Sequence, residues 1–270
     1  MAASTAKDEV AFVVVPGSFA TPALYEDNIV AGLRSRGYRV DLIGLLSAND
    51  GSRLPAPTME DDAAHIRAAA LAILDDPEQP RDVVLSVHSY SGIPGSSALK
   101  GLAKAERSAQ QGKPATGVVG IVYLGSFVPF EGQSIRDIMG EAMPEAYRIG
   151  SPGGYLPGVS KELAPLIFND LPPERALEIL NAMTLHSSDS YSGKASYEAW
   201  RDIPSRQLIP EQDLIVPVPV QLQMYDKAAA AGGKITKVVV PGAGHALNVS
   251  KTELVVQELV KAAEASRSWM

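Results

Sequence analysis

The stretch Val83-Val84-Leu85-Ser86-Val87-His88-Ser89-Tyr90-Ser91-Gly92-Ile93-Pro94-Gly95 decides the fold. Residues 83–87 form an almost continuous apolar run, the pattern of a strand covered on both faces in a parallel sheet. Gly92, Pro94 and Gly95 mark a sharp turn into a helix, which leaves Ser89 at the strand's carboxyl end, the edge where open α/β sheets receive ligands. Similar runs recur at Val10–Val15, Val118–Leu124, 206–209 and Ile235–Val240, with a weaker one at 39–43. Helical patterns lie between them. Thr58 and Asp61 form a capping box ahead of Ala63, Ile66, Ala70, Ile73 and Leu74, a pattern that Pro77 stops; Ser250 and Glu253 read as a second box ahead of Leu254, Val255, Leu259 and Val260. This alternation predicts an α/β fold, a doubly wound and mostly parallel sheet of about six strands.

Residues 127–204 break the alternation with Pro-Gly-Gly clusters and helical patterns but no convincing strand. They are expected to form a helical cap inserted over one edge of the sheet, dividing the core into 10–126 and 205–270. Residues 1–9 are polar and expected to be disordered. They lack the apolar segment of a secretory signal, and no apolar run approaches the ~18 residues of a membrane span, so the expected location is cytoplasmic with no membrane partner.

Composition removes several function classes. With 24 Lys+Arg against 31 Asp+Glu the net charge is −7 over 270 residues, which leaves no basic stripe for nucleic acid. The absence of cysteine excludes disulfides, thiolate metal sites and a nucleophilic thiol. Pro16-Gly17-Ser18-Phe19 follows the first run in place of a dinucleotide-binding Gly-x-Gly-x-x-Gly, and no P-loop sequence occurs. The four histidines, His65, His88, His186 and His245, show no paired metal-ligand spacing. No metal and no cofactor are expected.

What remains is a serine at a strand-to-helix turn. A hydroxyl needs a general base to become a nucleophile, and the base needs an acid to orient it. His88 precedes Ser89 and should point away from it, His65 lies within a helix, and His186 falls in the insertion. His245, after the last strand in Pro241-Gly242-Ala243-Gly244-His245, is therefore the base candidate. Glu211 and Asp213, after the penultimate strand, both qualify as the acid.

The segment His88-Ser89-Tyr90-Ser91-Gly92 resembles the nucleophile elbow of α/β hydrolases, whose usual form is Gly-x-Ser-x-Gly; Val87 and Ser91 stand where the glycines do. The resemblance spans residues 10–265, and the order Ser89, Asp213, His245 is that family's order. Within the superfamily the chain looks most like the small esterase branch that includes plant methylesterases and hydroxynitrile lyases. The lyases carry Lys after the catalytic His and Thr in the oxyanion segment, where this chain has Ala246 and Gly17. The resemblance implies Asp213 as the acid, by its Asp-x-x-x-Pro spacing, and an oxyanion hole from the backbone N–H groups of Ser18 and Tyr90. It implies a serine hydrolase cleaving an ester or lactone through an acyl-enzyme, with activity rising with pH as the imidazole loses its proton. The apolar insertion points to a small hydrophobic substrate, contacted by Phe19, His186 and Trp200, His186 serving as a polar anchor or as a satisfied surface residue. A homodimer is left open. The alternatives are a lyase or cyclase acting on a natural product in the same pocket, and a ligand-binding protein with little turnover.

Overall fold

The computed structural model describes residues 6–265. Six parallel strands form the main sheet: β1 (Val10–Val15), β2 (Arg39–Leu42), β4 (Asp82–His88), β5 (Val118–Leu124), β7 (Ser205–Pro210) and β8 (Ile235–Val240), in the order β2-β1-β4-β5-β7-β8. Two short strands, β3 (Ala48–Asn49) and β6 (Leu185–His186), pair antiparallel apart from it. The register places Val15 beside Val87, and Val87 beside Tyr123, so the central strands end together and their following loops share one edge.

Side-chain alternation explains the apolar runs. Along β1, Ala11, Val13 and Val15 join the core on one face, with Leu85, Val87 and the helix Met59–Leu74; Val10, Phe12 and Val14 join the other, with the helix Thr252–Ala265. Each fully buried Val or Leu contributes about 1.5–3 kcal/mol, so the central strands are predominantly apolar on both faces, with buried Asp82, Ser86 and His88 of β4 as exceptions. β8 departs from the expected two-sided burial: as an edge strand it exposes Thr236, Lys237 and Val239.

The Thr58–Asp61 capping box forms as expected. The second box does not. Ser250 ends a separate helical turn, Leu247–Ser250, and its buried hydroxyl finds no partner among the described residues, while Glu253 is engaged by Arg36 and Gln257. Thr252 begins the last helix and turns its own hydroxyl back to the carbonyl of Asn248. Residues 6–9, expected to be disordered, form a helical turn with Ala6 buried; residues 1–5 lie outside the described residues.

Segment 127–204 contains short helices, among them Ile135–Met139, Glu145–Ile149 and Pro173–Asn181, and also the strand β6 that sequence reading did not anticipate. Pairing of His186 with Ala48 and Leu185 with Asn49 ties the segment to the chain after β2. Phe168, Ile179 and Leu180 form a separate apolar cluster that includes Ala246, next to His245. Among the described residues no helix is long and apolar enough to cross a membrane.

Candidate active site

Ser89 sits at the turn after β4 with φ of 54°, the left-handed region that a non-glycine residue enters only under constraint. The constraint is visible: its carbonyl accepts from the Ser126 hydroxyl at 2.6 Å and the Phe127 N–H at 3.3 Å. The two missing glycines of the elbow are replaced by glycines elsewhere. A Cβ on Gly92 would lie 2.1 Å from the Phe127 carbonyl oxygen, so the close approach occurs at Gly92 and leaves room for Ser91. Likewise a Cβ on Gly95 would meet Val87 Cγ1 at 2.6 Å, so the bulk of Val87 is accommodated by the helix that crosses it. Ser91 is itself buried and donates to the His88 carbonyl at 2.8 Å.

The structure brings Ser89, His245 and Asp213 into one hydrogen-bonded line. Ser89 Oγ lies 3.0 Å from His245 Nε2, and His245 Nδ1 lies 2.9 Å from Asp213 Oδ2. A carboxylate only accepts, so Nδ1 carries a proton and Nε2 of the neutral ring accepts from the serine. Asp213 is held from four directions: Oδ1 accepts from the N–H groups of Ile215 and Val216, each at 2.9 Å, and Oδ2 also accepts from Gln221 Nε2 at 2.9 Å. Glu211 faces the other way and accepts from the Gly242 N–H at 2.8 Å. The turn after β7 thus separates two acids that sequence position alone could not.

A second chain of bonds crosses behind the line. The Gly17 N–H donates to the Tyr25 hydroxyl at 3.1 Å, Tyr25 meets His88 Nδ1 at 2.5 Å, and His88 Nε2 meets the His245 carbonyl at 3.0 Å. Burial pushes the His88 pKa down to about 3, with the neighbouring His245 adding to the effect, so its ring is neutral. Because a carbonyl only accepts, Nε2–H is the donor, Nδ1 the acceptor, and the Tyr25 hydroxyl donates its hydrogen bond to His88. Three loops, after β1, β4 and β8, are fixed to one another. A third anchor lies beneath Tyr90, whose hydroxyl donates to buried Asp62 at 2.7 Å, where Ser47 also donates from its N–H and hydroxyl. Asp170 of segment 127–204 accepts from the Gly244 N–H at 2.6 Å, and Asn169 donates to the Gln212 carbonyl at 2.8 Å, joining that segment to both the acid and the base loop.

The line faces a cavity of about 360 Å³ whose wall includes Ser18, Phe19 and Tyr90. Most of the wall is apolar, with Met139, Met143, Leu163, Phe168 and Met183 contributed by segment 127–204. Leu166 and Leu214, 40% and 54% exposed, also line it and form an apolar rim.

Two expected substrate contacts are absent from the wall. His186 is fully buried behind it, its ring against Phe19, Tyr90 and Tyr191 and its Nε2 3.0 Å from the Ser190 hydroxyl. It is neither an exposed residue nor an anchor, and burial pushes its pKa down to about 3. Trp200 is also fully buried, donating to the Pro129 carbonyl at 2.8 Å and packing edge-on against Phe130. Conversely, Tyr25, Gln221 and Asp170 were not foreseen, because no local pattern distinguishes them from other polar residues.

The model of the "Alpha/beta hydrolase family" matches residues 12–258. Probable hydrolase R7 of a Phoma species is 32% identical over 242 residues, 89% of this chain and 93% of the relative. Alpha/beta hydrolase nvfD of Aspergillus novofumigatus is 30% identical over 254 residues, 94% and 96% of the two chains. An extracellular alpha/beta-hydrolase from a Paenibacillus species, described as structurally and functionally homologous to tobacco salicylic acid binding protein 2, shares the fold with a TM-score of 0.70 at 16% identity, covering 94% of this chain and 98% of that one.

Proposed function

This chain belongs to the alpha/beta hydrolase family, and we propose that it is a carboxylic ester hydrolase acting through Ser89, His245 and Asp213. The observation that carries the reading is the unbroken Asp213–His245–Ser89 line, 2.9 and 3.0 Å long in its two links, at an apolar cavity.

His245 Nε2 takes the Ser89 proton as Oγ attacks the substrate carbonyl. Asp213 accepts from Nδ1–H throughout and stabilises the imidazolium. The backbone N–H groups of Ser18 and Tyr90 hold the tetrahedral oxyanion; losing one such donor typically costs 10²–10³ in rate, about 3 kcal/mol. The imidazolium then protonates the leaving alkoxide, and water, deprotonated by His245, releases the acyl group from Ser89. Segment 127–204 acts as a cap that supplies the apolar wall, which selects an uncharged, largely hydrophobic ester or lactone.

Intact-mass measurement after fluorophosphonate treatment tests this. One adduct is expected on the wild type and none on Ser89→Ala. A wild type that stays unmodified under conditions that label a control esterase overturns the reading. Turnover in oxygen-18 water separates hydrolysis, which incorporates the label in the acid product, from a lyase or cyclase reaction in the same pocket.

A further inference from the structure

The polar side chains on the cavity wall can be sorted by what already occupies them. Ser89 and His245 bond each other, Tyr25 and His88 bond each other, Tyr90 donates to Asp62, and Tyr191 donates to the Ser18 hydroxyl at 2.8 Å. Tyr147 stands half-buried, where water reaches it. Asn248 differs from all of these. It is 3% exposed and lines the cavity, yet among the described residues its carboxamide makes no hydrogen bond.

Local structure fixes where that amide can go. Asn248 lies in the helical turn Leu247–Ser250, just after His245, and its backbone carbonyl is used by Thr252. Leu247 is wholly buried in the core beneath the sheet, while Ala246 and Val249, like Asn248, line the cavity. A leucine at 248 would suit such a wall, whereas an amide that opens on the cavity with no protein partner is left to water or to a bound molecule.

We infer that Asn248 is a specificity-determining residue that receives a second oxygen function of the substrate, a keto or hydroxyl group set apart from the reacting carbonyl. The carboxamide matches both: its NH₂ donates to a ketone, and its NH₂ and carbonyl together serve a hydroxyl. The substrate class narrows from a plain hydrophobic ester to an oxygenated one. This step rests on the ester-hydrolase reading.

The test compares p-nitrophenyl hexanoate with its 4-oxo and 5-oxo analogues, on the wild type and on Asn248→Leu, which keeps the branched shape and removes the polarity. The wild type is expected to favour at least one keto ester in kcat/KM by roughly tenfold, the scale of one hydrogen bond made in a dry site. Asn248→Leu should erase that preference while leaving the plain ester within about threefold and fluorophosphonate labelling intact. Equal loss on plain and keto esters, or no keto preference in the wild type, overturns the inference.

A second readout does not need turnover. On Ser89→Ala, methyl 5-oxohexanoate or its 4-oxo isomer should raise the melting temperature more than methyl hexanoate does, and Asn248→Leu in that background should remove the difference. If labelling and turnover fail but this difference appears and depends on Asn248, the subsite stands and the hydrolase reading falls. If labelling succeeds and neither keto effect appears, the reverse holds.

Discussion

Removing one oxygen atom, in Tyr25→Phe, tests the bonding chain that joins three loops of the site. The phenol oxygen accepts from the Gly17 N–H and donates to His88 Nδ1, and both partners are buried. Phe fills the same space but leaves both without a partner, at about 1–3 kcal/mol each, so a loss of about 2–6 kcal/mol is expected. In a chain of this size a loss of 3 kcal/mol lowers the melting temperature by about 6–12 °C. Urea unfolding of wild type, Tyr25→Phe, His88→Ala and the double variant measures the loss and the coupling. The two single losses should fail to add by at least about 0.5 kcal/mol, since His88 loses its acceptor role once the donor is gone. Activity should fall as well, because Gly17 precedes the proposed oxyanion donor Ser18 and the His245 carbonyl is the far end of the chain. A Tyr25→Phe loss below about 1 kcal/mol, or strict additivity, would refute the assignment of donors and acceptors.

The folded pKa values of His88 and His186 are pushed down to about 3, below the ordinary value near 6.5, so the unfolded chain binds protons that the folded chain does not. Their stabilisation is complete above about pH 6.5 and is lost as pH falls towards 3, at about 1.4 kcal/mol per pH unit for each ring. Buried Asp62, pushed up by desolvation, works in the opposite direction, so the loss between pH 7.5 and 5 is at most about 4 kcal/mol. His186→Phe should flatten this dependence in urea titrations, and an unchanged slope contradicts the cause assigned. Asp213→Asn should lower kcat by about 10³–10⁴ by reversing the hydrogen bond that sets the His245 tautomer, whereas Glu211→Gln should stay within about threefold; steady-state rates with a chromogenic ester decide between them. Gly92→Ala should destabilise the fold by about 3 kcal/mol or more, because its Cβ would lie 2.1 Å from a backbone oxygen, while Ser91→Gly should cost only about 1 kcal/mol of lost hydrogen bonding; chemical denaturation ranks the two.

The strands were legible because central strands of a doubly wound sheet must be apolar on both faces, and Val10–Val15 and Val118–Leu124 end where the composition changes. The edge strand β8 was located with equal accuracy, although its burial was misjudged, since β-branched residues favour any strand and do not report its neighbours. The Ser250–Glu253 box failed for a related reason. The motif is short, and a preceding helical turn at Leu247–Ser250 claimed the serine first. Position after the penultimate strand admits both Asp213 and Glu211, and only the Asp-x-x-x-Pro resemblance favours Asp213; what separates them physically is a turn in which the Ile215 and Val216 N–H groups close onto Asp213 Oδ1.

The insertion was the least legible part, and its two misplaced residues show why. Periodicity assigns a face to a side chain only inside a regular element, and segment 127–204 is built of short turns that change direction between one apolar residue and the next. Met139 and Met183 reach the cavity while Trp200 is held under Pro129, and nothing in their types foretells the division. His186 is the stronger case. It stands in a strand of two residues whose existence depends on a partner, Ala48–Asn49, more than 130 positions away. A residue whose element forms only through a distant pairing has no local signature, so its burial follows from the tertiary fold alone. The same holds for Asn248, whose unpaired amide has meaning only once the cavity around it is known.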